Sequence, residues 1–206
     1  MKLKVCGLRE DENVKAVAAL KPQWMGFIFA ASSPRYFLSA KDPAKLLNID
    51  DSISKVGVFV NEEESEVVQL QETYQLDYVQ LHGDESVEMC RSLKERDTAV
   101  IKVFRVHDKF DFSIVESFTP YVELFLFDTA GKLYGGNGLR FNWDLLTGKR
   151  FSRQFLLSGG IGPEDAELVK SFQHPDMIGV DVNSHFETSP GVKDVAALKL
   201  FQQQIA

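Results

Sequence analysis

Short apolar runs recur along the chain roughly every 20 to 30 residues, and amphipathic or charged stretches separate most of them. The runs are LKVCG (3–7), WMGFIFA (24–30), KVGVFV (55–60), YVQLHG (78–83), AVIKVF (99–104), LFLFDT (124–129), FLLSGG (155–160) and IGVDVN (178–183). Helix-like segments lie between them: EDENVKAVAALK after the first, EEESEVVQLQETY after the third and DESVEMCRSLKE after the fourth. GPEDAELVKSF follows the seventh and VKDVAALKLFQQQ the eighth. The intervals after runs two, five and six are weaker, because AKLL, FDFSIVESF and FNWDLL support only short or irregular helices.

Strands that alternate with helices imply parallel pairing through right-handed crossovers. Eight such units predict a single α/β domain over residues 1–206, a (β/α)8 barrel of the TIM type. A doubly wound open sheet is the structural competitor, but its Gly-rich first turn is missing, since CGLRED is not GxGxxG. No Pro/Ser-rich linker or low-complexity tract divides the chain.

Composition narrows the function. A net charge of −7 argues against nucleic acid or an anionic membrane as partner, because both call for a basic surface. No apolar run reaches the ~18 residues of a membrane span, and MKLKVCGLRE lacks the apolar stretch of a signal peptide. Cys6 and Cys90 are far apart, so neither a disulfide nor a zinc framework is expected and a reducing cytoplasm fits.

In a barrel, reactive groups gather after the C-terminal ends of the strands. The residues at those ends here are Cys6 and Gly7, the ASSPR loop, Asn61, His82 and Gly83, Arg105, Asp128, Ser158 to Gly160, and Asp181 to Ser184. Strand alternation puts Lys4 and Cys6 on one face, with Leu3 and Val5 on the other. The first pair is expected inside the barrel, where the Lys4 cation would favour the Cys6 thiolate. Strand eight closes on strand one, so Asp181 is the expected partner of Lys4. On spacing alone, an inert buried cysteine is the stronger reading of Cys6.

Asp128 ends a very apolar run, and its desolvation is expected to raise its pKa and keep a proton available for general acid work. A turn-capping role before AGK is equally compatible. Arg35 in SSPRYF has the fork geometry to hold a carboxylate, against the plainer reading of a solvated arginine. Gly159 and Gly160 in SGGIGPED allow close backbone approach to an anion, and Gly162-Pro163 opens a helix with acids in its first turn. His82 reads as a hydrogen-bonded structural histidine, and Cys90, within a helical run, as inert.

As a set, KVCGLR, GFIFAASSPRYF, VGVFVNE, VQLHGDE, FLFDT, GGNGLRFNW, LSGGIGPED and GVDVNSHFETSPGVKD resemble the phosphoribosylanthranilate isomerases, in order from residue 4 to residue 194. The resemblance implies an Amadori rearrangement in tryptophan biosynthesis, with Asp128 as acid and Cys6 as base on opposite sides of the mouth. It implies that Arg35 binds the anthranilate carboxylate and that Gly159, Gly160, Asn183 and Ser184 hold the phosphate, with His82 and Asp181 completing the substrate contacts. No metal or organic cofactor is implied. The partner is a small phosphorylated substrate, and the chain is expected to be a monomer or homodimer. Asn183-Ser184-His185 departs from the Ser-Gly pair usual in the family, so His185 either crowds the phosphate or adds a donor to it. A histidine-pathway phosphosugar isomerase, which carries aspartate at the end of strand one, and a non-catalytic phosphate-binding barrel are the alternatives.

Overall fold

The computed structural model describes residues 1–37, 49–130 and 140–206. The AKLL segment and the GGNG glycines lie outside the described residues. In chain order the elements are β1 (Lys2–Val5), α1 (Asp11–Ala18), β2 (Trp24–Ile28), β3 (Ser54–Phe59), α2 (Glu64–Tyr74), β4 (Tyr78–Leu81), α3 (Val87–Glu95), β5 (Val100–Val106) and β6 (Leu124–Thr129). They continue with β7 (Phe155–Leu157), α4 (Ala166–Ser171), β8 (Met177–Val182), β9 (Glu187–Ser189), β10 (Val192–Lys193) and α5 (Val195–Ile205).

Strands β1 to β8 pair in parallel in sequence order and close into a barrel. The closing seam pairs Leu3 with Val180, Lys4 with Asp181 and Val5 with Val182. Two apolar clusters follow from the strand alternation. Cys6, Trp24, Ile28, Val56, Val58, Ile101, Val103, Leu124, Leu126 and Leu156 pack together inside the barrel. Leu3, Val5, Phe27, Phe59, Phe125, Phe127, Phe155 and Val180 join the helices in the outer shell. Burying each such phenylalanine contributes roughly 1.5–3 kcal/mol. The Phe127 ring lies 4.8 Å from that of Phe151 and 5.1 Å from that of Phe155, which anchors β6 outward just before Asp128.

Two of the helices begin where a side chain accepts an orphan N–H group. Ser86 accepts from Met89 N at the start of α3, and Asp194 accepts from Ala197 N at the start of α5. The weak intervals after β5 and β6 form 3₁₀ segments at Phe112–Tyr121 and Trp143–Leu146. Their apolar residues lack a helical stripe, and Pro120 sits within the first. The helix expected over 192–204 starts later, at Val195, because Val192–Lys193 pairs with Glu187–Ser189 as a small antiparallel hairpin. The segment from Gly162 opens with a 3₁₀ turn, Pro163–Asp165, before α4. Among the described residues no helix is long and apolar enough to cross a membrane.

Lys4 is fully buried and its ammonium lies 2.9 Å from Asp181 Oδ1, across the seam that closes the barrel. Removing one member of a buried pair strands the other charge, at a cost of about 3–5 kcal/mol. Lys4→Met is therefore expected to lose that much in urea unfolding, and Lys4→Met/Asp181→Leu to recover a large part of it. A single variant within ~1 kcal/mol of the parent would show that the pair does not hold the seam.

Candidate active site

The end of β1 presents Lys4 and then Cys6 to the barrel interior, as the alternation predicts, and Asp181 of β8 is the partner of Lys4. Gly26 of β2 makes room for both side chains, since a Cβ there would lie 2.8 Å from Cys6 Sγ and 3.2 Å from Lys4 Nζ. Burial works against the Lys4 charge, but Asp181 outweighs it and Cys6 adds to the effect, so the ammonium titrates above the usual lysine value. Burial raises the Asp181 carboxyl above its usual value, and Lys4, 2.9 Å from its Oδ1, opposes the shift without cancelling it. The pull of the Lys4 cation toward a Cys6 thiolate does not prevail. Burial pushes its pKa above the usual thiol value, and the opposing cations, Lys4 first and Lys193 after it, do not overcome that. At neutral pH the resting group is a thiol with an ammonium beside it.

Asp128, next to last in β6, is buried, and its Oδ1 accepts from Thr129 N at 2.8 Å. Its Oδ2 lies 3.1 Å from His82 Nε2, and His82 Nδ1 lies 3.2 Å from Gln80 Nε2. The strand ends of β4 and β6 thus form one buried polar chain, in which the histidine read as structural touches the candidate acid. Contrary to the expected placement on opposite sides of the mouth, Cys6 and Asp128 are not diametrically opposed, because only β7 and β8 separate their strands on the shorter side. Asp181 sits between them and feels both Lys4 and Asp128.

Arg35 is neither solvated nor waiting with an open fork. Its Nε donates to Glu187 Oε1 at 2.8 Å and to Oε2 at 3.1 Å, and its Nη2 donates to Oε2 at 2.7 Å. The Lys193 ammonium, fully buried, donates to the same Glu187 Oε1 and to Asn183 Oδ1, both at 2.7 Å, and to Asn183 O at 3.2 Å. Burial pushes the Glu187 carboxyl upward, yet Arg35 and Lys193 together hold it below the usual value. Burial also lowers the Lys193 pKa, with Glu187 opposing. Gly7 is in the left-handed region at φ +75°, and a Cβ there would strike Asn183 Oδ1 at 2.6 Å and Arg35 Cδ at 2.7 Å. This network therefore lies directly against the residue after Cys6.

Gly159 has φ +92°, and a Cβ would fall 2.2 Å from Thr129 Oγ1 and 3.0 Å from Asp128 Oδ1. Its lack of a side chain lets the loop after β7 close on Thr129 and Asp128. Gly160 is also left-handed, at φ +63°, and its carbonyl accepts from Arg140 Nη2 at 3.1 Å. Gly162 N–H, which the turn into α4 offers to an anion, already donates to Asp165 Oδ2 at 2.7 Å. Arg140 also pairs with Asp165. Ser184 is half-buried at the start of a 3₁₀ turn, Ser184–Phe186, and His185 in that turn is exposed. Cys90 is buried in α3, and burial pushes its thiol up to about 11.

Sequence reading passed over Glu187, Lys193, Gln80, Gly26 and Arg140. A glycine inside the apolar WMGFIFA run signals a close approach, and that clue was available for Gly26. Glu187 and Lys193 sit in an ordinary polar stretch, and only folding brings them onto Arg35. Among the described residues no group of three or more His, Cys, Asp or Glu side chains is arranged to hold a metal ion.

The sequence profile of N-(5'phosphoribosyl)anthranilate (PRA) isomerase matches residues 3–204. The N-(5'-phosphoribosyl)anthranilate isomerase of Parabacteroides distasonis is 46% identical over 206 residues, which cover 100% of this chain and 93% of that protein. The crystal structure of the phosphoribosyl anthranilate isomerase of Thermotoga maritima superposes with a TM-score of 0.85 at 31% identity, covering 100% of this chain and 98% of that one. A phosphoribosyl anthranilate isomerase crystallised with reduced 1-(o-carboxyphenylamino)-1-deoxyribulose 5-phosphate gives a TM-score of 0.82 at 30% identity, covering 100% and 98%. With likeness of sequence and of barrel running from one end to the other, the chain belongs to the N-(5'-phosphoribosyl)anthranilate isomerase family.

Proposed function

We propose that the chain isomerises N-(5'-phosphoribosyl)anthranilate to 1-(2-carboxyphenylamino)-1-deoxyribulose 5-phosphate, a step of tryptophan biosynthesis, with Asp128 as general acid and Cys6 as general base. The observation that carries the assignment is the gathering, at one end of the barrel, of a buried carboxyl joined to an imidazole and a buried thiol beside an ammonium. Asp128 gives a proton to the furanose ring oxygen; the C1'–O bond breaks and the anthranilate nitrogen's lone pair forms the Schiff base. The Cys6 thiolate then takes the proton from C2', and the electron pair moves to the nitrogen to give the enolamine. Tautomerisation, in which the 2'-hydroxyl gives up its proton and C1' receives one, yields the aminoketone. Arg35 binds the substrate carboxylate, and backbone groups at Gly159, Gly160, Asn183 and Ser184 receive the phosphate. Two buried, unpaired thiols, Cys6 and Cys90, support a reducing cytoplasmic setting.

Loss of anthranilate fluorescence from freshly generated phosphoribosylanthranilate tests the activity directly. Cys6→Ala and Asp128→Asn are each expected to lower kcat by roughly 10²–10⁴-fold, the share that a positioned acid or base contributes, while still binding the reduced product analogue. Full turnover by Cys6→Ala would remove the base from its assignment. A parent protein that binds the analogue without turning over substrate would favour the non-catalytic barrel.

The raised Cys6 pKa sets the sign of the pH dependence. The base is the thiolate, so its fraction grows as pH rises toward the elevated pKa. Log kcat/KM is expected to climb with a slope of about 1 above neutrality, and the residual rate of Cys6→Ala to lack that limb. A profile already flat from pH 6 upward would mean a resting thiolate and contradict the burial argument.

A further inference from the structure

Glu187 stands outside the acid–base pair, yet among the described residues its carboxylate accepts from two cationic side chains and a backbone N–H. Arg35 supplies a bidentate side-on pair, Lys193 a bond of 2.7 Å to Oε1, and Gly191 N another of 3.1 Å to the same oxygen. All three charged side chains are shielded, with 12% of Arg35, 5% of Glu187 and none of Lys193 exposed. A cluster of this kind persists only when every charge has partners, because desolvation is not otherwise compensated.

The geometry points to Glu187 as a positioning residue that fixes the plane of the Arg35 guanidinium and so sets the recognition of the substrate's aromatic carboxylate. This inference rests on the reading in which Arg35 binds that carboxylate. A guanidinium carries five N–H donors in one plane. The side-on pair uses Nε–H and one Nη2–H, and the end-on edge, Nη1 with the second Nη2–H, is the edge on which a second carboxylate can bind in the same plane. Arginine otherwise carries about 2 kcal/mol of rotamer freedom, and a clamp that removes it beforehand lowers the cost of binding.

The clamp is itself anchored at two points. Lys193 ties Glu187 to the Asn183 side chain and carbonyl after β8. Asn13 of α1 brackets the Lys193 backbone, donating to its carbonyl at 2.8 Å and accepting from its N–H at 2.7 Å. Because Arg35 Cδ and Asn183 Oδ1 occupy the space that a Cβ on Gly7 would need, the clamp sits one residue from Cys6. The hairpin β9–β10 therefore links the carboxylate end of the substrate to the end of β8, where the phosphate segment begins.

The test compares two ligands: the reduced product analogue, and the same compound lacking the aromatic carboxylate. Dissociation constants are measured by calorimetry for the parent, Arg35→Met, Glu187→Gln and Glu187→Asp. Gln keeps an acceptor for Lys193 but loses the charge-assisted pair with Arg35, and Asp keeps the charge but draws it back by one methylene. Arg35→Met and Glu187→Gln are each expected to weaken the carboxylated analogue roughly tenfold and to leave the descarboxy compound unchanged. Glu187→Asp is expected to follow in the same selective direction and reads the effect if the Gln variant does not fold. Selectivity in Arg35→Met but not in the Glu187 variants, or equal weakening of both ligands by those variants, overturns the positioning role alone. No selectivity in Arg35→Met removes the carboxylate assignment and the positioning role with it.

Discussion

A lysine and an aspartate inside a barrel of leucines and valines are tolerable only together, and this constraint shapes the catalytic end of the molecule. Lys4 and Asp181 meet across the β1–β8 seam, the junction that joins the first strand to the last and closes the barrel. Either charge alone in that interior would cost several kcal/mol. The pair therefore couples closure of the sheet to charge compensation. The residue two places along β1 from Lys4 is Cys6, so the ammonium that compensates Asp181 is also the nearest cation to the thiol.

That arrangement poises the thiol without ionising it. Burial favours the neutral form, and the neighbouring cations oppose burial without winning. Across β7 and β8, the carboxyl of Asp128 is embedded differently, against a backbone N–H and a histidine that is held in turn by Gln80. Asp181 lies between the two groups and is sensitive to both, so neither half of the site is electrostatically isolated.

The rim is held by a second, separate charge cluster. Arg35 comes from the loop after β2, Glu187 and Lys193 from a hairpin that follows β8, and Asn13 from α1. Three distant stretches of chain meet in this cluster, and its Arg35 and Asn183 side chains fill the space that a Cβ at Gly7, held at a positive φ, would need. Gly159 plays the matching part beside β6, with Thr129 and Asp128 filling the volume that a side chain would need.

The sequence by itself determined the eight strands, their order, the inward face of Lys4 and Cys6, and the Lys4–Asp181 pair. Each follows from local periodicity plus the rule that a (β/α)8 sheet closes first strand to last. It also determined that the segments after β5 and β6 would be irregular, because FDFSIVESF and FNWDLL lack a helical stripe. The small hairpin was invisible, since ETSPGVKD reads as loop and helix start, and its pairing involves too few residues to leave an alternation. Tertiary structure alone decided the occupancy of Arg35, the neutral state of Cys6 and the contact of His82 with Asp128. Those properties depend on which groups face one another from distant strands and how much water is excluded between them, and neither quantity is written in the order of residues along one strand.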